Sequence, residues 1–249
     1  MSVSDVLGIL PLPPYSRRGY ARQPPVLRLR VGAPSLDSLL SGGLEPGCVY
    51  DFTGEAGSGK TQLCMQLSVN VQLQPDSGGL GKRAVYIDTR GDFSPERVVA
   101  MALTRGLEPS EALGGITYAR ALSLQHLLVL LDKSLQEVVA GDAGLLVVDE
   151  LTGLLRSEAL DARERTEAYS SVVRALWRVA KAGCVVVATR DVVSADGLSP
   201  AGGAHLDTYA CLSVMLRRRG ELRDALALSS PWSRASATFR IGEGGVEEP

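Results

Sequence analysis

Two hydrophobic periods alternate along this chain from residue 26 onward. Short runs, apolar nearly throughout, occur at Val49–Thr53, Ala84–Thr89, Ile116–Arg120, Gly144–Glu150 and Cys184–Thr189, and they predict strands. Between them, apolar residues recur at helical spacing over Gln62–Leu67, Leu122–Val139 and Glu167–Ala182. Ser94-Pro95-Glu96 opens a further helix with a capping side chain and a proline in its first turn. Ser35–Leu40 reads as a short helix stopped by Gly42-Gly43. Apolar strands alternating with helices predict an α/β fold, a mostly parallel sheet covered on both faces. Near the end, Leu212–Arg218, Asp224–Leu228 and Ala237–Ile241 are strand-like and joined by short turns, which predicts an antiparallel extension of the sheet. Residues 1–25 differ in kind. Pro11, Pro13, Pro14, Pro24 and Pro25 with Arg17, Arg18 and Arg22 make an extended tail, either a partner- or DNA-touching arm or a solvated leader, ahead of a single core at 26–249.

The loop after the first strand carries the chemistry. Gly54-Glu55-Ala56-Gly57-Ser58-Gly59-Lys60-Thr61 reads G-x-x-x-x-G-K-T between a strand and a helix, the context a phosphate-binding loop needs. Its glycines let backbone N–H groups turn inward around phosphate oxygens, and the helix beginning near Lys60 aims its positive dipole end at the same place. Lys60 is expected to reach the β- and γ-phosphates and Thr61 to ligate Mg²⁺, so ATP and Mg²⁺ are the expected cofactors. Asp149 ends an apolar strand and is expected to hold Mg²⁺ through water, the alternative being a cap on the next helix. Glu150 either orients an attacking water or caps the following turn.

Composition narrows the class. The chain has 249 residues, 45% hydrophobic and 22% charged, enough for one large core. A net charge of −2 gives no global attraction to nucleic acid, so any DNA-binding surface must come from locally clustered arginines. Cys48, Cys64, Cys184 and Cys211 lack C-x-x-C spacing and lie in or beside apolar runs, which predicts buried free thiols in a reducing compartment. No apolar run is long enough for a membrane span, and the N-terminus lacks signal-peptide order. The expected location is the cytoplasm, or the nucleus in a eukaryote.

The motifs together resemble the RecA-type strand-exchange recombinases, archaeal RadA and its eukaryotic counterpart among them. The resemblance is carried by Gly54 to Cys64, Gly78-Gly79-Leu80-Gly81, Ala84 to Thr89, Ser94-Pro95-Glu96-Arg97, Tyr118-Ala119-Arg120-Ala121, Arg156-Ser157-Glu158, Arg174-Ala175-Leu176 and Pro200-Ala201-Gly202-Gly203. It runs from about Leu29 to the C-terminus and implies a RecA-like core. It places Gly54, Glu55, Ala56, Gly57, Ser58, Gly59, Lys60, Thr61 and Gln62 around the nucleotide, with Arg97 stacked on adenine and single-stranded DNA on two loops. The first DNA loop matches Arg156 to Thr166, with Arg156, Arg163 and Arg165 as phosphate contacts; the second matches Ser194 to Asp207.

The departures shape the expected function. The family has a helical domain before the core, where this chain has its tail. The family's interlocking Phe-x-x-Ala corresponds to Tyr20-Ala21-Arg22-Gln23, which argues against ordinary filament growth. Arg90 stands in place of the catalytic Glu, Arg190 in place of the γ-phosphate-sensing Gln, and Ser229-Ser230-Pro231 in place of an Asp-Ser-Pro cap. Arginine cannot serve as a base at neutral pH. The resemblance therefore implies a recombinase paralogue, a weak ATPase at most, that binds single-stranded DNA and modulates the main RadA-type recombinase. The rival expectations are an active DNA-dependent ATPase using Glu150 and a DNA-independent adaptor.

Overall fold

The computed structural model describes residues 27–157, 161–193, 199–202, 206, 209–228 and 236–249. The tail with Tyr20–Gln23, Ser229–Pro231 and most of the second loop lie outside the described residues.

Each predicted parallel strand forms. The strands are β1 (Val49–Gly54), β2 (Arg83–Asp88), β3 (Ile116–Arg120), β4 (Ala143–Asp149), β5 (Val185–Arg190), β6 (Leu212–Arg219), β7 (Leu222–Ala227), β8 (Ser236–Gly242) and β9 (Gly245–Glu247). They make a nine-stranded sheet in the order β3-β2-β4-β5-β1-β6-β7-β8-β9. Neighbours from β3 across to β6 pair parallel, and β6 to β9 pair antiparallel. The extension is thus antiparallel only from β7, since β6 joins β1 in parallel.

Side-chain alternation explains why the strands read as unbroken apolar runs. Leu145, Val147, Val185 and Val187 face one core with Tyr50 and Phe52; Leu146, Val148, Val186 and Ala188 face the other with Val49. Every one of these is buried, and burying a valine stabilises by about 1.5–3 kcal/mol. The first core is covered by α1 (Pro34–Leu39), α2 (Lys60–Asn70), α3 (Pro95–Thr104) and α4 (Pro109–Gly114). The second is covered by α5 (Leu124–Val139), α6 (Gly153–Ser157) and α7 (Ala162–Lys181).

Caps fix the helix ends. Ser94 precedes α3 and its hydroxyl accepts from the Arg97 N–H at 3.2 Å, as the sequence predicts. Helix α7 begins five residues before the expected Glu167, because Asp161 and Glu164 close a reciprocal capping box. The expected DNA loop from Arg156 to Thr166 is therefore mostly helix. Arg156 lies in α6, and Arg163 and Arg165 lie in the first turns of α7. Two thiols also depart from expectation: Cys211 is exposed and Cys48 half-buried, since both sit where β6 and β1 begin, at the rim of the sheet. Gln66 joins distant parts of the chain. From α2 its amide donates to the Val31 and Val246 carbonyls and accepts from the Val246 N–H.

Candidate functional site

The parallel strands all end on one side of the sheet, and there a cleft of about 570 Å³ opens. Its lining includes Ala56, Gly57, Gly59, Lys60, Thr61 and Gln62 from the loop and α2, with Arg90, Asp149 and Glu150 at or just past neighbouring strand ends and Arg97 from α3. Crevices at the carboxyl ends of an open α/β sheet are where such folds hold ligands.

Close packing fixes the loop. A Cβ on Gly54 would lie 2.3 Å from the Leu216 carbonyl oxygen, so only glycine fits there. Gly57 and Gly59 take φ of 77° and 104°, which turns the loop over the start of α2. The β6–β7 arm braces it from outside: Arg223 donates to the Gly57 carbonyl at 3.0 Å, and the Arg218 N–H reaches Glu55. Lys60 is buried and donates to the carbonyls of Gly54 (2.6 Å) and Glu55 (3.0 Å). The Ser58 hydroxyl is buried with no hydrogen-bond partner among the described residues.

Asp149 is buried at the end of β4. It accepts from the Tyr86 hydroxyl at 2.8 Å and from the Thr189 hydroxyl at 2.5 Å. Burial, with the Asp149 charge beside it, pushes the Tyr86 hydroxyl well above the ordinary tyrosine range, so it stays a donor. The Asp149–Glu150 peptide bond is cis, and both carboxylates line the cleft. Glu150 is engaged: Oε1 accepts from the Thr152 N–H at 3.1 Å, from the Thr152 hydroxyl, and from the Asp191 N–H at 3.3 Å. It caps the following turn, one of the two roles the sequence left open.

Asp88 shapes the turn that presents Arg90. Its carboxylate accepts from the N–H groups of Arg90 (2.9 Å), Gly91 (2.6 Å) and Phe93 (3.1 Å). Arg90 then points over the cleft and pairs with Asp191 at 2.8 Å and Asp92 at 3.3 Å. Arg97 is tied down from the far wall, donating to the Gln62 side chain and to the carbonyls of Gly242 and Glu243.

Two expected placements are corrected. Arg190 does not face the loop. It follows Ala188 and Val186 in alternation, so it lies on the opposite face of the sheet from Lys60. There it is buried, holds Asp51 through two nitrogens at 2.5–3.1 Å, donates to the Ala201 carbonyl and stacks over Tyr209. The residue at the cleft is Asp191, which sequence reasoning missed. Its carboxylate lies 3.1 Å from Lys60, 2.8 Å from Arg90 and 3.7 Å from Arg156. A polar residue just past an apolar strand, the signal that picked out Asp149, was present here too.

The three arginines expected to bind DNA do not form one patch. Arg156 faces Glu150 and Asp191, each at 3.7 Å. Arg163 pairs with Glu167 along α7. Arg165 is two residues on, so it leaves a different side of the helix, and with Arg156 it lies near the Tyr169 hydroxyl.

A glycine-bound loop between β1 and α2, its lysine, and an acid at the end of β4 define a RecA-like α/β core with a phosphate-binding loop. The chain belongs to the Rad51 family, whose model matches residues 22–249. It is 36% identical over 244 residues to the DNA repair and recombination protein RadA of Cenarchaeum symbiosum (strain A), covering 92% of this chain. The chain spans 61% of that relative's length.

Proposed function

We infer that this chain binds ATP with Mg²⁺ in the β1–α2 cleft, hydrolyses it slowly, binds single-stranded DNA and modulates a main RadA-type recombinase in recombination and repair. Membership of the Rad51 family and the relative's role in DNA repair and recombination support the setting, which would be the cytoplasm around the chromosome, or the nucleus in a eukaryote. The residues fit the nucleotide. Gly54 to Gln62 would surround the phosphates, with Lys60 opposite their charge and the unpartnered Ser58 hydroxyl inside the loop. Thr61 and Asp149 would hold Mg²⁺, which supplies charge neutralisation at the phosphates when bound. Arg97 would flank the base at the far wall.

The observation that carries slow hydrolysis is the pairing of Arg90 with an occupied Glu150. Arg90 projects over the cleft where the resemblance expects a base, and it cannot take a proton from water. Glu150 already accepts from the Thr152 N–H and hydroxyl in the following turn and from the Asp191 N–H just past β5. Its Oε1 is thereby held in place by protein donors rather than left to orient a water. Arg163 and Arg165 on α7 would meet DNA phosphates: the Arg163–Glu167 pair is exposed and weak, whereas Arg156 faces Glu150 and Asp191. Their divergence along α7 favours the second reading, an adaptor that docks on the recombinase without DNA.

The test is calorimetry with a non-hydrolysable ATP analogue and Mg²⁺, on native protein and Lys60→Ala. Native binding that is lost in the variant is expected; equal affinity in both sinks the site. Steady-state turnover of native protein, Glu150→Gln and Arg90→Glu, with and without single-stranded DNA, decides catalysis. Fast, DNA-stimulated native turnover abolished in Glu150→Gln would replace this reading with that of an active motor.

A further inference from the structure

Three cations from three different elements converge at one side of the cleft: Lys60 from α2, Arg90 from the turn after β2, and Arg156 from α6. The carboxylate of Asp191 contacts all three, while Asp92 also pairs with Arg90 at 3.3 Å and Glu150 lies 3.7 Å from Arg156. Its two oxygens are held unequally. Oδ2 accepts a well-aligned hydrogen bond from Arg90 at 2.8 Å. Oδ1 is buried and has no hydrogen-bond partner among the described residues, although the Lys60 ammonium is 3.1 Å away. The contact to Lys60 is therefore attraction without alignment. A buried oxygen in that condition loses the hydration it would have in water, and the pairing is weaker than its distance suggests. The backbone either side of the carboxylate is fixed, since the Asp191 N–H reaches Glu150 and its carbonyl accepts from the Ala201 N–H at 2.7 Å.

We propose that Asp191 is a resident anion standing where the terminal phosphate of a nucleoside triphosphate would meet Lys60, Arg90 and Arg156, and that it sets the preference of the cleft between triphosphate and diphosphate. The proposal rests on the nucleotide-site reading above. Lys60 cannot serve both anions, so Asp191 must give up Lys60 whenever a terminal phosphate is taken up. A carboxylate left beside that phosphate repels it, and the repulsion falls on the third phosphate alone because a diphosphate ends short of it. The cleft thus favours the diphosphate more than its three cations would suggest. Arg90 moderates this bias, because it can keep Asp191 through Oδ2 while Lys60 turns to phosphate.

The experiment measures Mg²⁺–AMP-PNP and Mg²⁺–ADP affinities by calorimetry for native protein, Asp191→Asn and Lys60→Ala. Asp191→Asn keeps size and loses charge. It is expected to bind AMP-PNP about tenfold or more tighter, with ADP affinity changed less than about threefold, as removing one close like charge from one ligand requires. An unchanged AMP-PNP-to-ADP ratio, or weaker AMP-PNP binding, overturns the proposal while leaving the nucleotide site standing. Native protein that binds neither nucleotide overturns the site itself, and the proposal with it. A second arm uses thermal unfolding with inorganic phosphate. Asp191→Ala removes the one anion that Lys60, Arg90 and Arg156 share, so phosphate is expected to raise its midpoint more than that of native protein. Equal shifts show that Asp191 does not occupy an anion position.

Discussion

Removing Arg190 tests the fully buried Arg190–Asp51 ion pair. Its side chain is 1% exposed and that of Asp51 is 0%, with nitrogen–oxygen distances of 2.5–3.1 Å. Burial pushes the Asp51 carboxyl up, and the Arg190 hydrogen bonds and charge pull it back down. Arg190→Met keeps much of the apolar stem but leaves Asp51 without its cation, with the Tyr209 hydroxyl at 3.2 Å and the Ser213 side chain as neutral remaining partners. Breaking a buried pair from one side costs about 3–5 kcal/mol. Against a total stability of about 5–15 kcal/mol, that is a large fraction. At about 2–4 °C per kcal/mol for a chain of this size, the midpoint falls by about 6–20 °C. The pH dependence has a definite sign. Burial already holds the folded-state pKa of Asp51 above its unfolded value, and without Arg190 it rises further, so the acid is accommodated neutral below the unfolded value and loses stability as pH rises through the folded one. The deficit of the variant should thus be small near pH 4 and grow toward pH 7. Asp51→Leu with Arg190→Met should cost less than the two single changes summed, because neither charge is then stranded. Urea unfolding of the four proteins at both pH values measures this. A single-variant loss under about 1 kcal/mol, the range of an exposed pair, would refute the reasoning.

Gly54→Ala should destabilise by about 1–3 kcal/mol and weaken nucleotide binding, since its methyl meets backbone at 2.3 Å; an unaltered urea midpoint would refute the fit. In timed alkylation near pH 8, Cys211 should react first because it is exposed, and Cys48 slowly, since burial and the neighbouring Cys211 push its thiol up to about 12 and leave little thiolate. Cys64 and Cys184 are buried with raised thiols, so mass spectrometry should find them modified only on unfolding. Arg163→Ala with Arg165→Ala should reduce the salt slope of single-stranded DNA binding by about 1.4, at about 0.7 per phosphate contact, whereas Arg156→Ala should leave it unchanged; gel-shift titration at several salt concentrations separates them.

What could be read beforehand was whatever a local period or a fixed spacing encodes. The parallel strands were visible because burial on both faces leaves no polar alternation, and the loop was visible because phosphate geometry allows few spacings. Strand parity at β5 was harder. Thr189, Arg190 and Asp191 are consecutive, and only the position of Val187 against the first core shows that Arg190 points away from Lys60. The early start of α7 was available in Asp161 and Glu164, a capping box overlooked because the resemblance suggested a loop. Strand β9 is three residues long, too short for a period to show. That Glu150 caps a turn depended on Thr152, whose part is set by the chain's path after β4.

The amide of Gln66 carries a consequence for how the protein is made. Its partners Val31 and Val246 lie on either side of it in sequence, and the second is 180 residues downstream. Until residue 246 has left the ribosome, the helix that carries Lys60 holds a polar amide facing an unbuilt wall. The helix behind the phosphate loop is therefore completed only once β9 is made. A nascent chain stalled before β9 would carry the whole glycine loop with the Gln66 amide lacking its Val246 partner.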